Sequence, residues 1–227
     1  MTNNEVMDWD SAYRQEAGFD GAPPWNIGEP QPELAALIAE GKVRGEVLDA
    51  GCGYAELALT LAADGYTVVG IELTPTAVAA AKKAAAERDL PNATFVQDDI
   101  TSFTGYDGRF ATIIDSTLFH SLPVEGRDGY LRSIHRAAAP GARYYALVFA
   151  KGAFPAELET KPNEVDEDEL RSTVSKYFAI DEIRPATIHS HRPEFPDVPA
   201  GVTMPIDLDE KGRLRMPAYL LSAHKAD

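Results

Sequence analysis

The stretch "EVLDAGCGYAEL", Glu46 to Leu57, dictates more about this chain than any other. An apolar run delivers an aspartate, and two glycines separated by one residue follow at once. Packing alone does not call for that order. Glycine lacks a Cβ and reaches φ > 0 freely, so two of them in a turn let the backbone approach something bound. Strand, tight turn and helix in succession form a ligand-binding βα unit.

The same alternation continues downstream. "EVLDA" reads as a buried strand, "AELALTLAADG" as a helix stopped at Gly65, and "YTVVGIEL" as a second strand. "TPTAVAAAKKAAAERD" predicts a helix with Thr74 as its cap, Pro75 at its first position and alanine inside. "ATFVQDD" and "FATIIDS" supply a third and a fourth strand. "VEGRDGYLRSIHRAAA" predicts a helix broken by "PG" before the strand "ARYYALVFA". Strands alternating with helices imply parallel pairing, right-handed crossovers and a doubly wound α/β sheet.

Beyond Lys151 the order changes. An acid-capped helix, "DEDELRSTVSKYF", precedes strands near "AIDEIRPATIHSH" and "MPAYLLSAHKA", which read as a terminal antiparallel pair. A polar, proline-bearing loop over residues 190–213 separates them. At the other end lies a short helix, "PELAALIAEG", with Gly41 as its C-cap. Residues 1–30 mix Trp9, Tyr13, Phe19 and Trp25 with prolines, too aromatic for a loose tail and too proline-rich for a regular element. They read as a lid. With no internal repeat and no second core, residues 1–227 form a single domain, long enough for one substantial core.

The 36 acidic and 21 basic residues leave a formal charge of −15, a surface that repels phosphate backbones and argues against nucleic acid as partner. Cys52, the lone cysteine, has no internal disulfide partner. The chain starts without a charged-then-apolar signal, and no apolar run nears the roughly 20 residues of a membrane helix. A cytoplasmic protein with no membrane partner is the expectation.

In an open parallel sheet, ligands bind outside the carboxyl ends of the strands, where the strand order reverses. Those ends carry Asp49, Glu72, the pair Asp98 and Asp99, and Asp115. An acid about 20 residues past a glycine turn accepts hydrogen bonds from ribose hydroxyls. The dinucleotide pattern G-x-G-x-x-G is not completed, because Glu56 stands at its third glycine. Phosphate also disfavours a helix start flanked by carboxylates. A cationic nucleoside without pyrophosphate suits Asp49 and Glu56 better. S-adenosyl-L-methionine (SAM), with an ammonium, a sulfonium and no phosphate, has that character.

These residues resemble the class I SAM-dependent methyltransferases, along "VLDAGCGYAELALTLAADGYTVVGIELTPTAV", through "FVQDDITSF" and to "ARYYALVFA". The resemblance implies a Rossmann-like seven-stranded sheet, mostly parallel, with SAM as cofactor and S-adenosyl-L-homocysteine as product. It further implies that Ala50, Gly51 and Gly53 lie under the methionine moiety and that Asp49 holds the amino-acid end. Glu72 would bind the ribose diol, Leu73 pack on adenine, and Asp99 meet the adenine amino group beside the Ile100 backbone. Trp25 and Ser116 complete the implied cofactor set.

"PPWNIGEPQPEL" looks like the N-terminal segment of thiopurine, thiol and halide methyltransferases. "IIDSTLFHSLPVEGRDGYLRSIHRAAAPGARYYALVF" is more similar to bacterial heterocyclic toxin methyltransferases, which methylate hydroxyquinolone-type aromatics. The implied activity is methyl transfer to the hydroxyl of a small aromatic heterocycle, as detoxification. Three alternatives stand beside it: an S-methyltransferase of the thiol or thiopurine type, a nucleotide-dependent oxidoreductase, and a non-catalytic SAM-binding regulator.

On the acceptor side, Tyr13, Trp25 and Phe119 are candidates for stacking on a flat substrate. His120, five residues past Asp115, is the candidate general base, with Asp115 orienting its ring; a structural histidine is the competing reading. His189 and His191 in "HSH" do not amount to a metal site, since two ligands do not make one.

Overall fold

The structure is a computed structural model that describes residues 8–14, 16, 23–158, 161–191 and 206–226. Seven strands form one sheet: β1 Val47–Ala50, β2 Val68–Glu72, β3 Ala93–Gln97, β4 Phe110–Ser116, β5 Ala138–Phe149, β6 Ala179–Ser190 and β7 Leu214–His224. Their order is β3-β2-β1-β4-β5-β7-β6. All pairs from β3 to β5 are parallel. β7 runs antiparallel to both neighbours, so the expected terminal pair is a long hairpin whose second strand inserts between β5 and β6.

β1 and β2 are buried on both faces, as parallel strands covered by helices must be. Their apolar residues divide into two layers. On one side Leu34, Leu57, Leu61, Val78 and Ala81 come from helices α2 (Pro32–Ala39), α3 (Glu56–Ala63) and α4 (Pro75–Glu87). On the other, Tyr130, Leu131, Ile134, Leu170 and Val174 come from α5 (Val124–Ala137) and α6 (Glu167–Val174). This is the doubly wound, Rossmann-like architecture. Its switch point lies between β1 and β4.

Three local features depart from the sequence reading. Residues Trp9–Tyr13 form a one-turn helix, α1, inside the segment expected to be irregular; Asp8 accepts from the Ser11 amide at 3.1 Å. α5 ends at Ala137 and β5 begins directly at Ala138, passing through Pro140 and Gly141; a register shift between Phe110 and Thr112 of β4 absorbs the irregularity. Thr74 stands at the cap of α4, but its hydroxyl has no partner. Asp10 of α1 supplies the cap instead, accepting from the Thr76 amide at 3.2 Å.

That bond fastens one end of the N-terminal segment. The other is held at the β6–β7 hairpin. Gln31 brackets the His189 backbone, donating to its carbonyl at 2.9 Å and accepting from its amide at 2.8 Å. The His189 ring is bonded to Asp209 at 2.9 Å, and Lys211 and Arg213 both reach Glu29. The lid expected over residues 1–30 is described from 8 to 14, at 16 and from 23 onward, and the substrate-side loop only at residues 190–191 and 206–213. Residues 192–205 lie outside the described residues.

Candidate active site

The glycine turn leaves β1 at the switch point. Gly51 and Gly53 have φ of +67° and +53°, the left-handed region that favours glycine. Close contacts reinforce the requirement. A Cβ on Gly51 would stand 2.8 Å from Leu118 Cδ1, and one on Gly53 would stand 2.6 Å from the Tyr13 hydroxyl. Ala55, at φ +67°, continues the tight path into α3.

Three buried carboxyls surround this turn, each in a different electrostatic situation. Glu72 ends β2 and accepts from the Gly53 amide at 3.1 Å and the Thr74 amide at 2.9 Å. It thereby ties the turn to the start of α4, and each oxygen keeps a lone pair for a ligand hydroxyl. Asp49 lies inside β1 at 1 % exposure, and its Oδ2 has no partner. Burial, with Asp115 and Glu72 nearby, pushes its pKa up to about 7. A buried polar atom left unpaired is costly. An ammonium would satisfy it. Ala50 closes β1 behind it, fully buried.

Asp115 is engaged on both oxygens by the protein itself. Its Oδ1 accepts from the amides of Leu118 and Phe119 at 2.7 and 3.2 Å, and its Oδ2 accepts from the Tyr130 hydroxyl at 2.8 Å. Burial raises its pKa to about 7 as well. These bonds shape the turn after β4, in place of the expected contact with the His120 ring. Thr117 takes φ +74° there, a rare conformation for a β-branched residue.

At the mouth of the crevice, Leu73 is 57 % exposed, a large apolar side chain free to receive a flat ring. Asp99, past β3, uses Oδ1 to hold the Thr101 amide and hydroxyl. Ile100 is buried beneath, and Ser116 is half-buried at the end of β4. α1 and Trp25 cover the glycine turn. Trp25 meets Trp9 and Tyr13 edge to face at 5.8 and 6.3 Å. Tyr54 donates to the Tyr13 carbonyl at 2.7 Å. Tyr13 therefore lies against the glycine turn, covered by Trp25 and Tyr54 rather than open to a flat ring.

Phe119 also sits elsewhere than expected. It is wholly inside the core, its ring 6.4 Å from Tyr130 with the Arg127 guanidinium 4.9 Å above it. Next to it, His120 is 3 % exposed, in a 3₁₀ turn, Phe119–Ser121. The apolar wall beside His120 comes from residues the sequence reading did not single out. Phe149 packs on the His120 ring at 4.6 Å and on Phe154 at 4.9 Å, and Leu158, Leu214 and Met216 join this cluster. No short motif announces these residues, because the fold collects them from two segments, 149–158 and 214–216, that lie far apart in the chain.

The orphaned Asp49 oxygen, the glycine cradle, the Glu72 carboxylate and the open Leu73 face together fit a nucleoside with a cationic amino-acid tail. Comparison with known proteins agrees. A family model described as a methyltransferase domain matches residues 47–141. The chain is 52 % identical to a 2-heptyl-1-hydroxyquinolin-4(1H)-one methyltransferase of Mycobacteroides abscessus over 227 residues, 99 % of this chain and 100 % of that protein. A solved structure concerned with conversion of a disulfide bond into a thioacetal group during echinomycin biosynthesis shares 32 % identity, with a TM-score of 0.81 over 96 % of this chain and 91 % of the other. In fold alone, the chain is similar to a Burkholderia thailandensis 1,6-didemethyltoxoflavin-N1-methyltransferase with bound S-adenosylhomocysteine, at 21 % identity, a TM-score of 0.61, and coverage of 86 % and 77 %. The chain belongs to the class I SAM-dependent methyltransferases and is an enzyme that transfers the methyl group of SAM to a small molecule.

Proposed function

We propose that the acceptor is a hydroxyquinolone-type heterocycle and that the methyl goes to its hydroxyl oxygen. The observation that carries this reading is the 52 % identity, over the full length of both chains, to an enzyme named for that substrate. Phe149, half-buried on the His120 ring at the edge of the Phe154, Leu158, Leu214 and Met216 cluster, supports it, since it offers aromatic surface to a flat ring.

When bound, SAM supplies a methyl carbon already activated by a sulfonium. What remains for the chain is alignment, dehydration and control of the acceptor's charge. In this proposal Asp49 holds the ammonium, Glu72 the ribose hydroxyls, and Leu73 with Asp99 and Ile100 the adenine. α1 and Trp25 act as a lid that excludes water, and Tyr13 seats the lid on Gly53. Detoxification in the cytoplasm, where unpaired Cys52 stays reduced, belongs to the same proposal.

The test is a comparison of acceptors. With 2-heptyl-1-hydroxyquinolin-4(1H)-one, a thiopurine and a small thiol each supplied with SAM, formation of S-adenosylhomocysteine is followed by chromatography. Turnover of the hydroxyquinolone well above both sulfur acceptors is expected. Preference for a thiol or thiopurine would overturn the oxygen assignment.

A further inference from the structure

The His120 ring is held in one orientation by β5, whose Phe149 packs on it. The Phe149 amide of β5 donates to Nδ1 at 3.3 Å. A nitrogen that accepts a backbone N–H carries no proton itself, so in the neutral ring the proton sits on Nε2. The turn that carries the ring is rigid. Asp115 fixes the Leu118 and Phe119 amides, the Ser121 hydroxyl donates to the Thr117 carbonyl at 3.0 Å, and the Thr117 amide donates to Leu147 at 3.1 Å. A strained residue such as Thr117 persists only where its surroundings over-determine it.

Behind the turn lies an uncommon charge. Arg127 of α5 is 3 % exposed, stacked on Phe119 and paired with Glu169 of α6, and its Nε has no partner. Among the described residues the imidazole's hydrogen bond is the one it accepts from the Phe149 amide, and no carboxylate bonds to it: Asp115 is bonded to Leu118, Phe119 and Tyr130 instead, and the charge that acts on the ring is Arg127, itself paired with Glu169. Burial, then the charge of Arg127, pushes the pKa of His120 down to about 3.

We propose that His120 is a hydrogen-bond donor rather than a base: its Nε2–H binds an oxygen of the acceptor, which the enzyme takes up as the oxyanion, and Arg127 is the positioning residue that keeps the ring neutral. The inference rests on the acceptor reading above. Ionisation then precedes transfer, with the acceptor proton lost to bulk water. The acceptor oxygen forms the new O–C bond from its own lone pair while the methyl–sulfur bond breaks, leaving that electron pair on sulfur, and no proton is released in the step. A neutral donor in a dry site favours an oxyanion strongly and needs no reorganisation. Selectivity follows: hydroxy-heterocycles acidic enough to ionise near neutral pH are substrates, and simple phenols or alcohols are not.

Two measurements test this. The first compares His120→Gln, which keeps an N–H donor but cannot act as a base, with His120→Leu. Gln should retain most of the wild-type kcat/KM for 2-heptyl-1-hydroxyquinolin-4(1H)-one, and Leu should lose about 10- to 100-fold, as for one hydrogen bond to a charged group. In the wild type, the pH at which kcat/KM levels off should move with the acidity of the acceptor when a ring-halogenated analogue is substituted. Gln as inactive as Leu, or an inflection that ignores acceptor acidity, overturns the donor role. A wild type that does not methylate the hydroxyquinolone overturns the acceptor reading instead. The second measurement does not depend on turnover: nitrogen-15 NMR of the histidine rings in the S-adenosylhomocysteine complex, with His120 assigned by its absence in the Gln variant. The ring should stay neutral with the proton on Nε2 from about pH 5 to 9, the range in which an ordinary histidine titrates. A ring that titrates there, or protonation at Nδ1, overturns the proposal whatever the substrate.

Discussion

Asp49 carries a buried carboxyl oxygen with no protein partner, and burial raises its pKa from the ordinary 3.8 to about 7. Near neutral pH the ligand-free site therefore holds part of a proton. An ammonium brought to this group favours the carboxylate, so binding SAM should expel that proton. The sign is definite: affinity should rise as pH increases toward and through about 7, and calorimetry in buffers of different ionisation heats should show proton release. Zero release would remove Asp49 from the ammonium site. Ligand-free stability runs the other way. Because the folded pKa lies above the unfolded one, this group lowers stability as pH climbs from about 4 to about 7, and Asp49→Asn should flatten that slope in thermal melts. Glu72→Gln makes a different demand: one carboxylate oxygen becomes an NH₂ facing the Gly53 or Thr74 amide. SAM affinity should fall by about 1.5–3 kcal/mol, the scale for hydrogen bonds to a charged group. Unchanged affinity would show that the turn is held without Glu72. Asp49, Gly51, Gly53 and Glu72 were readable from sequence because each sits at a fixed offset from one strand–turn–helix unit. Arg127 was not, since its meeting with Phe119 and Glu169 depends on how α5 and α6 pack.

Between elements, the N-terminal segment spans the site from α4 to the β6–β7 hairpin. Gln31 forms its firmest attachment, two buried hydrogen bonds to one residue 158 positions away. Gln31→Leu should lower stability by about 1–3 kcal/mol, because it leaves the His189 amide and carbonyl without partners. Hydrogen exchange at Trp9–Tyr13 should be slowed by S-adenosylhomocysteine in the wild type, and less so in this variant. Equal protection with and without ligand would count against a lid. The helices and strands that build the sheet were legible from their periods and their caps. The place of β7 was not, because "MPAYLLSAHKA" states a strand without stating its neighbours. Asp10 as the cap of α4 was equally invisible, its partner lying 66 residues further on.

At the scale of the molecule, a doubly wound sheet brings the ends of β1, β2 and β4 to one crevice, and the segment after β5 with the start of β7 adds an apolar cluster beside His120. In the proposed reading, cofactor recognition belongs to the parallel half of the sheet, while acceptor recognition comes from His120 and the segments after β5. The two functions should separate under mutation: Phe149→Leu should raise KM for the acceptor and leave SAM affinity unchanged. In the proposed reaction the methyl of SAM ends on the oxygen of a hydroxyquinolone. The most direct measurement is carbon-13 NMR of the product formed from 2-heptyl-1-hydroxyquinolin-4(1H)-one and SAM labelled at its methyl carbon. A labelled carbon with the shift of a methyl bound to oxygen is the predicted result. A label bound to nitrogen, sulfur or ring carbon, or no labelled product while a thiol is methylated, would contradict it.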